Sequence, residues 1–285
     1  MAHPEILTAF RSLAPAYDAL VCDVWGVLHN GANAHKAACE ALREFRRNHG
    51  PVVLLSNAPR PVVDLETQFE RFGVPFDCYD AIMTSGVAAR DDLARRASGT
   101  RLKMLHLGPS RDSGVYDGLN LDVVEIAHAE IVLCTGFYDD ETETPADYAD
   151  MLSDLQARGL TMLCANPDLV VQRGGRMIPC AGAMAAAYEG IGGHVVYYGK
   201  PHRPIYDVTL AEAERIAGRP IRNPLAIGDG MGTDLKGANG AGIDALFIAD
   251  GIHGEDVREL TPEHMAALFA KGGVHARAAM RALVW

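Results

Sequence analysis

Four polar clusters in this chain each close a short apolar run. Asp23 ends Ala19-Leu20-Val21-Cys22, and Ser56-Asn57 ends Val52-Val53-Leu54-Leu55. Gly199-Lys200-Pro201 follows Val195-Val196-Tyr197-Tyr198. Gly228-Asp229-Gly230-Met231-Gly232-Thr233-Asp234 follows Leu225-Ala226-Ile227. A carboxylate can attack as a nucleophile or hold a hard cation. A lysine ammonium neutralises an anion, and hydroxyl and amide groups donate hydrogen bonds to one. Taken singly, each cluster also fits a turn, a cap or a loop. Taken in order, all four sit where open α/β sheets bind ligands, at the carboxyl ends of strands.

The elements that must position these clusters are legible as apolar periodicity. Short continuous apolar runs alternate with helical stretches, and Gly50-Pro51 and Gly73-Val74-Pro75 punctuate them. Strands are expected at Ala19–Cys22, Val52–Leu55 and Ala81–Met83, with helices at Ala34–His49, Pro61–Phe72 and Val87–Ala97. Ala37, Ala41, Leu42 and Phe45 form the expected apolar stripe of the first helix. A middle segment has its own cycle of strands (Leu102–Leu107, Ile131–Thr135, Leu160–Ala165) and helices (Asp147–Arg158, Gly182–Gly190). The rhythm then returns at Val195–Tyr198, with a helix over Pro204–Ile216 and a strand at Ala245–Ile248. Glu255 to Trp285 reads as an amphipathic helical tail. Fully apolar strands in a β-α-β rhythm predict a doubly wound parallel sheet, an α/β fold of Rossmann-like character.

Composition narrows the class. Of 285 residues, 48% are hydrophobic and 22% charged, which is ordinary for a globular chain. Six cysteines are too sparse for a disulfide scaffold, and all six read as buried structural thiols. Residues Met1 to Leu20 lack a basic stretch followed by an apolar one, and no apolar run reaches the length of a membrane span. The expectation is a cytoplasmic protein with no membrane partner. A net charge of −11 argues against nucleic acid, whose binding depends on neutralising phosphates. Gly228-x-Gly230-x-Gly232 does not fit the dinucleotide fingerprint, since its third glycine comes one residue early. No P-loop, Cys-x2-Cys or His-Glu-x-x-His pattern is present.

The order Asp23, Ser56, Lys200, Asp229 with Asp234 resembles the four motifs of the haloacid dehalogenase (HAD) superfamily, and closely its class IIA, NagD-like branch. Cys164-Ala165-Asn166-Pro167-Asp168, Ile178-Pro179-Cys180-Ala181-Gly182 and Tyr198-Gly199-Lys200-Pro201 extend the resemblance over almost the whole chain. It implies a HAD core at residues 1–86 and 195–285, with an inserted α/β cap of the C2 type at 87–194. It implies a Mg²⁺-dependent phosphatase acting on a small phosphorylated metabolite through an aspartyl-phosphate. Asp23 would be the nucleophile, and Lys200 would neutralise charge. Ser56, the Asn57 backbone N–H and Lys200 would hold the phosphate. Asp23, Asp229 and the Trp25 carbonyl would hold Mg²⁺, with Asp234 orienting Lys200 or a metal-bound water. For Asp234 an N-cap on the following helix is an equal reading. The oligomeric state is left open, a homodimer included.

The resemblance breaks at Trp25. HAD phosphatases usually carry a second Asp there, which protonates the leaving oxygen and later activates water. An indole N–H can donate a hydrogen bond but cannot exchange a proton at neutral pH. Three readings follow: a slow phosphatase with a substitute acid/base, a hydrolase of a C–X bond, or a phospho-ligand binder with little turnover. His29 and His202 are the candidate substitutes. Substrate choice is expected to fall to Asn166, Asp168, Arg60 and the acidic loop Tyr138-Asp139-Asp140-Glu141, which would suit a polyol or an amine.

Overall fold

The computed structural model describes residues 3–173, 176–252, 257 and 259–285. In chain order its strands are β1 (Glu5–Ile6), β2 (Ala19–Asp23), β3 (Val52–Ser56), β4 (Ala81–Thr84), β5 (Leu102–Leu107), β6 (Leu121–Val123), β7 (Ile131–Cys134), β8 (Thr161–Cys164), β9 (Val170–Arg173), β10 (Arg176–Pro179), β11 (His194–Tyr197), β12 (Pro224–Gly228), β13 (Asp244–Ile248) and β14 (Ala278–Met280). Its α-helices are α1 (Lys36–Asn48), α2 (Val62–Phe72), α3 (Ser85–Arg96), α4 (Ala149–Ala157), α5 (Ala181–Gly190), α6 (Arg203–Ala217), α7 (Lys236–Ala241) and α8 (Pro262–Gly272). The chain divides into two compact units, one of residues 1–56, 63–83 and 200–285, the other of 57–62 and 84–199.

The first unit is built on a sheet of order β1-β14-β13-β12-β2-β3-β4. The pairings β12–β2, β2–β3, β12–β13, β13–β14 and β1–β14 are parallel. From β2 the chain winds outward through β3 and β4, then restarts on the other side of β2 with β12. The switch point therefore lies between β2 and β12, whose carboxyl ends carry Asp23 and Asp229. Every residue of β2 is buried, as a central strand covered on both faces requires. Helix α1 covers this sheet with Ala38, Cys39, Ala41, Leu42 and Phe45, the 3–4 spacing of one helical face. Ala37 is exposed, so the stripe begins one residue later than its alanines suggested.

The second unit has a parallel sheet of order β11-β8-β7-β5-β6 and an antiparallel β9–β10 hairpin. Its core is apolar on both faces of the sheet, with Tyr188, Met162, Phe137 and Leu155 on one side and Leu93, Met104, Leu133 and Leu163 on the other. The architecture is α/β throughout, with the second unit inserted into the chain of the first.

The division departs from boundaries at 86/87 and 194/195. Strand β11 pairs in parallel with β8, so it completes the inserted sheet rather than reopening the first. Residues 57–62 fold with 84–86: the Gly86 N–H donates to the Ala58 carbonyl at 3.2 Å, and Thr84 Oγ1 donates to the Arg60 carbonyl at 2.7 Å. The tail is also not helical throughout. After α8 it forms β14, an inner strand held by β13 and β1. Glu255, where that helical reading began, lies outside the described residues. The six cysteines are all free and buried, as expected.

Candidate active site

Asp23, the last residue of β2, is fixed by a strand that cannot shift without losing a buried ladder on both sides. Lys200 re-enters the first unit and reaches it. The buried Lys200 ammonium donates to Asp23 Oδ1, and to Asp234 Oδ1 at 2.7 Å. Asp229 follows β12, and its Oδ2 accepts the Ile252 backbone N–H at 2.7 Å. Asp23, Asp229 and Asp234 each offer a carboxylate oxygen, and these lie within 4.8 Å of one another.

The segment 228–235 explains its glycines. A Cβ on Gly228 would stand 2.2 Å from Asp234 Cγ, so the glycine is required for Asp234 to fold back over the strand end. Residues Met231–Leu235 form a π-helical turn, a widened turn often found at functional sites. Within it Asp234 Oδ2 accepts the Gly230 N–H at 3.0 Å, leaving Oδ1 for Lys200. Asp234 is therefore not the N-cap of the following helix; Leu235 occupies that position, without a side-chain cap. Gly26 plays the matching part after β2. Its φ of +85° and the 2.0 Å from its would-be Cβ to Asp229 Oδ2 admit no side chain.

The electrostatics follow from burial. Burial and the neighbouring Asp234 push the Asp229 carboxyl up to about 7. Burial also raises Asp23 well above the carboxylate range; Lys200 opposes this, while Asp234 and Asp229 reinforce it. Burial alone would lower Lys200, but attraction to Asp23 and Asp234 outweighs it and holds the ammonium protonated. The upward shifts of Asp23 and Asp229 are the mark of carboxyl groups crowded together out of water, and the clustered hard oxygen donors are a set that fits a small divalent cation.

The other sequence candidates separate. Ser56 ends β3 beside Asp23, since Leu55 is paired with Asp23. Trp25 is 38% exposed, with its ring edge-on to His29 at 5.3 Å. His29 is buried, accepts the Gly31 N–H on Nδ1 at 3.1 Å and packs against Phe72 at 5.0 Å. Burial, with His35 adding to it, lowers its pKa to about 4. It is thus a neutral ring that braces the loop after Asp23, poorly suited to donate protons. His202 is the partly exposed residue before α6.

In the second unit, Asn57 Nδ2 donates to Asp168 Oδ1 at 2.9 Å, and the Asp168 N–H donates to Asn166 Oδ1 at 3.0 Å. Arg60 pairs through Nε with the buried Asp112 at 3.2 Å. The acidic loop is largely spent on itself. Asp139 caps its own turn, accepting from Glu141 N and Thr142 Oγ1, and Asp140 pairs with Arg111 at 2.6 Å. This weakens the idea of an acidic surface awaiting a polyol or amine. The Gly26, Gly228 and π-turn roles were not foreseen; the clustering of glycines around Asp229 was the available signal.

A doubly wound parallel sheet with a lysine tying two carboxylates at its switch point places the chain among α/β proteins that carry a charged site at the carboxyl ends of their strands. Known proteins are similar to this chain in sequence and fold. A haloacid dehalogenase-like hydrolase family matches residues 20–121, and a HAD-hydrolase-like family matches 197–272. A crystal structure of a haloacid dehalogenase-like family hydrolase from Brucella suis 1330 is 42% identical, with a TM-score of 0.84, and the match covers 99% of this chain and 100% of that one. Ribonucleotide monophosphatase NagD of Escherichia coli K12 is 26% identical over 83% of this chain and 89% of its own length. 5'-nucleotidase YutF of Bacillus subtilis is 22% identical over 83% and 88%. The chain belongs to the haloacid dehalogenase-like hydrolases, in their NagD-like branch. Among the described residues no helix is long and apolar enough to cross a membrane.

Proposed function

We propose that this hydrolase is a Mg²⁺-dependent phosphatase of a small phosphorylated metabolite, working through an aspartyl-phosphate on Asp23. The observation that carries the reading is the buried Lys200 bridging Asp23 and Asp234, with Asp229 inside the same cluster. The likeness to NagD, a ribonucleotide monophosphatase, and YutF, a 5'-nucleotidase, supports the same class. Residues 57–62 and 84–199 would serve as the C2-type cap. Asp23, Asp229 and the Trp25 carbonyl would hold the cation, with Asp234 acting through Lys200. The bound cation would screen the repulsion between a carboxylate and an anionic phosphate. Asp23 would attack phosphorus in line, forming the O–P bond as the ester oxygen leaves. Lys200 would hold Asp23 and a phosphoryl oxygen at once, and Ser56 Oγ and the Asn57 N–H would donate to the others.

Trp25 favours slow turnover of this kind. General acid–base catalysis is worth ~10²–10⁴-fold, and neither an indole nor a neutral, loop-bracing His29 supplies it. His202 is the remaining candidate, and substrates with good leaving groups should be hydrolysed best. A second reading, ligand binding with little turnover, draws on the same residue. Both are tested by screening phosphometabolites with Mg²⁺ while measuring phosphate and halide release. Asp23→Asn is expected to abolish metal-dependent phosphate release. Release that survives it would refute the mechanism, halide release would point to C–X hydrolysis, and binding without release would favour the second reading.

A further inference from the structure

Asn57 immediately follows Ser56, and its side chain is tied to a residue 111 positions away in sequence. Asn57 Nδ2 donates to Asp168 Oδ1 at 2.9 Å, and Asn57 is buried. Asp168 is itself held at both ends of its backbone. Its N–H donates to the buried Asn166 Oδ1 at 3.0 Å, and its carbonyl accepts the Gly182 N–H at 3.1 Å, at the start of α5. The other end of the Asn57 amide is equally confined. A Cβ on Gly199 would lie 2.5 Å from Asn57 Oδ1 and 2.9 Å from both Pro167 Cδ and Ser85 Oγ. Gly199, at φ +117°, is therefore the one residue type that lets the chain pass Asn57 on its way to Lys200.

We propose that Asp168 is a positioning residue: by gripping the Asn57 amide it fixes the Ser56–Asn57 peptide whose N–H the phosphate must meet. The inference rests on the phosphatase reading. A peptide donor aids anion binding only when its direction is set beforehand, because reorientation on binding would consume the interaction. A side-chain tether to a carboxyl oxygen that is itself held in place sets it, because the amide and the peptide that carries it can no longer turn freely. On this view Asn166 and Asp168 shape the turn that holds Asn57, and they act on phosphate through it rather than by touching the variable part of the substrate.

The test compares Asp168→Leu, Asp168→Asn and Asn57→Ala with the unmodified protein, using nitrophenyl phosphate with Mg²⁺ as substrate and inorganic phosphate as inhibitor. Melting temperature monitors folding. Asp168→Leu is expected to raise KM and the inhibition constant of phosphate roughly tenfold, the loss of one hydrogen bond that fixes the donor. Asp168→Asn keeps an acceptor and should stay near wild type. Asn57→Ala keeps the backbone N–H and should reproduce Asp168→Leu, with the double variant no worse than either. Unchanged phosphate inhibition in Asp168→Leu or in Asn57→Ala overturns the proposal, as does a fall in melting temperature alone. Additive effects in the double variant overturn it too. If the unmodified protein neither binds nor releases phosphate, the underlying phosphatase reading has failed, and this proposal falls with it.

Discussion

At the scale of the residue, the proposed function is most directly tested at Trp25. If Trp25 is what slows the reaction, Trp25→Asp should raise kcat on alkyl phosphates, by up to ~10²-fold or more, with a smaller gain on nitrophenyl phosphate. Steady-state rates on the two ester types check this, and equal gains would argue against a missing acid. The loop after Asp23 is braced by His29, and that brace should be acid-sensitive. Burial holds its pKa near 4 in the folded chain against an ordinary 6.5, so between those values the unfolded chain binds a proton that the folded chain refuses. Stability should be full above pH 6.5 and fall as pH drops toward 4. His29→Asn can still accept the Gly31 N–H but cannot titrate, so its melting temperature should depend less on pH in that window. The flattening should be partial, because buried His106 is lowered to about 4 as well. His29 shows what a sequence conceals: its place near Asp23 was legible, but its neutrality comes from burial against Phe69 and Phe72, which lie on another element.

At the scale of the element, the carboxyl ends of long apolar strands were readable and the short edge elements were not. β2, β3 and β12 carry enough apolar residues to declare themselves, and their polar ends delivered Asp23, Ser56 and Asp229. β1 and β14 have two and three residues, too few for a period to emerge, and pairing rather than propensity makes them strands. β11 was visible as a strand, but the sheet it joins depends on β8, far earlier in the chain. The π-turn that aims Asp234 carries no pattern beyond its glycines. Helix α1 offers a direct test of packing. Phe45 is fully buried and stacks on Phe10 at 5.9 Å. Phe45→Ala should cost about 3–5 kcal/mol in urea unfolding, whereas Ala37→Ser, on the exposed face, should cost almost nothing.

At the scale of the whole molecule, charge and topology meet at one place. The crowding of Asp23, Asp229 and Asp234 disfavours their ionised forms, and a bound cation would reverse that. Mg²⁺ at about 100 times its dissociation constant should therefore stabilise the fold by about 2.7 kcal/mol. A rise in melting temperature with Mg²⁺, abolished in Asp229→Asn, is the expected result; an equal rise in both proteins would place the cation elsewhere. The pairing of β2 with β12 spans the entire inserted unit, and Asp23 meets Lys200 across 177 positions. That wiring imposes an order in time. The inserted sheet draws on strands close together in sequence, whereas the switch point closes only after β12 has been made. On the proposed function, Asp23 is synthesised well before the residues it must meet, and a growing chain that carries it would be chemically silent. Lys200 follows it by 177 positions and Asp229 and Asp234 by more, so the proposed hydrolysis would be postponed until the inserted unit has been made.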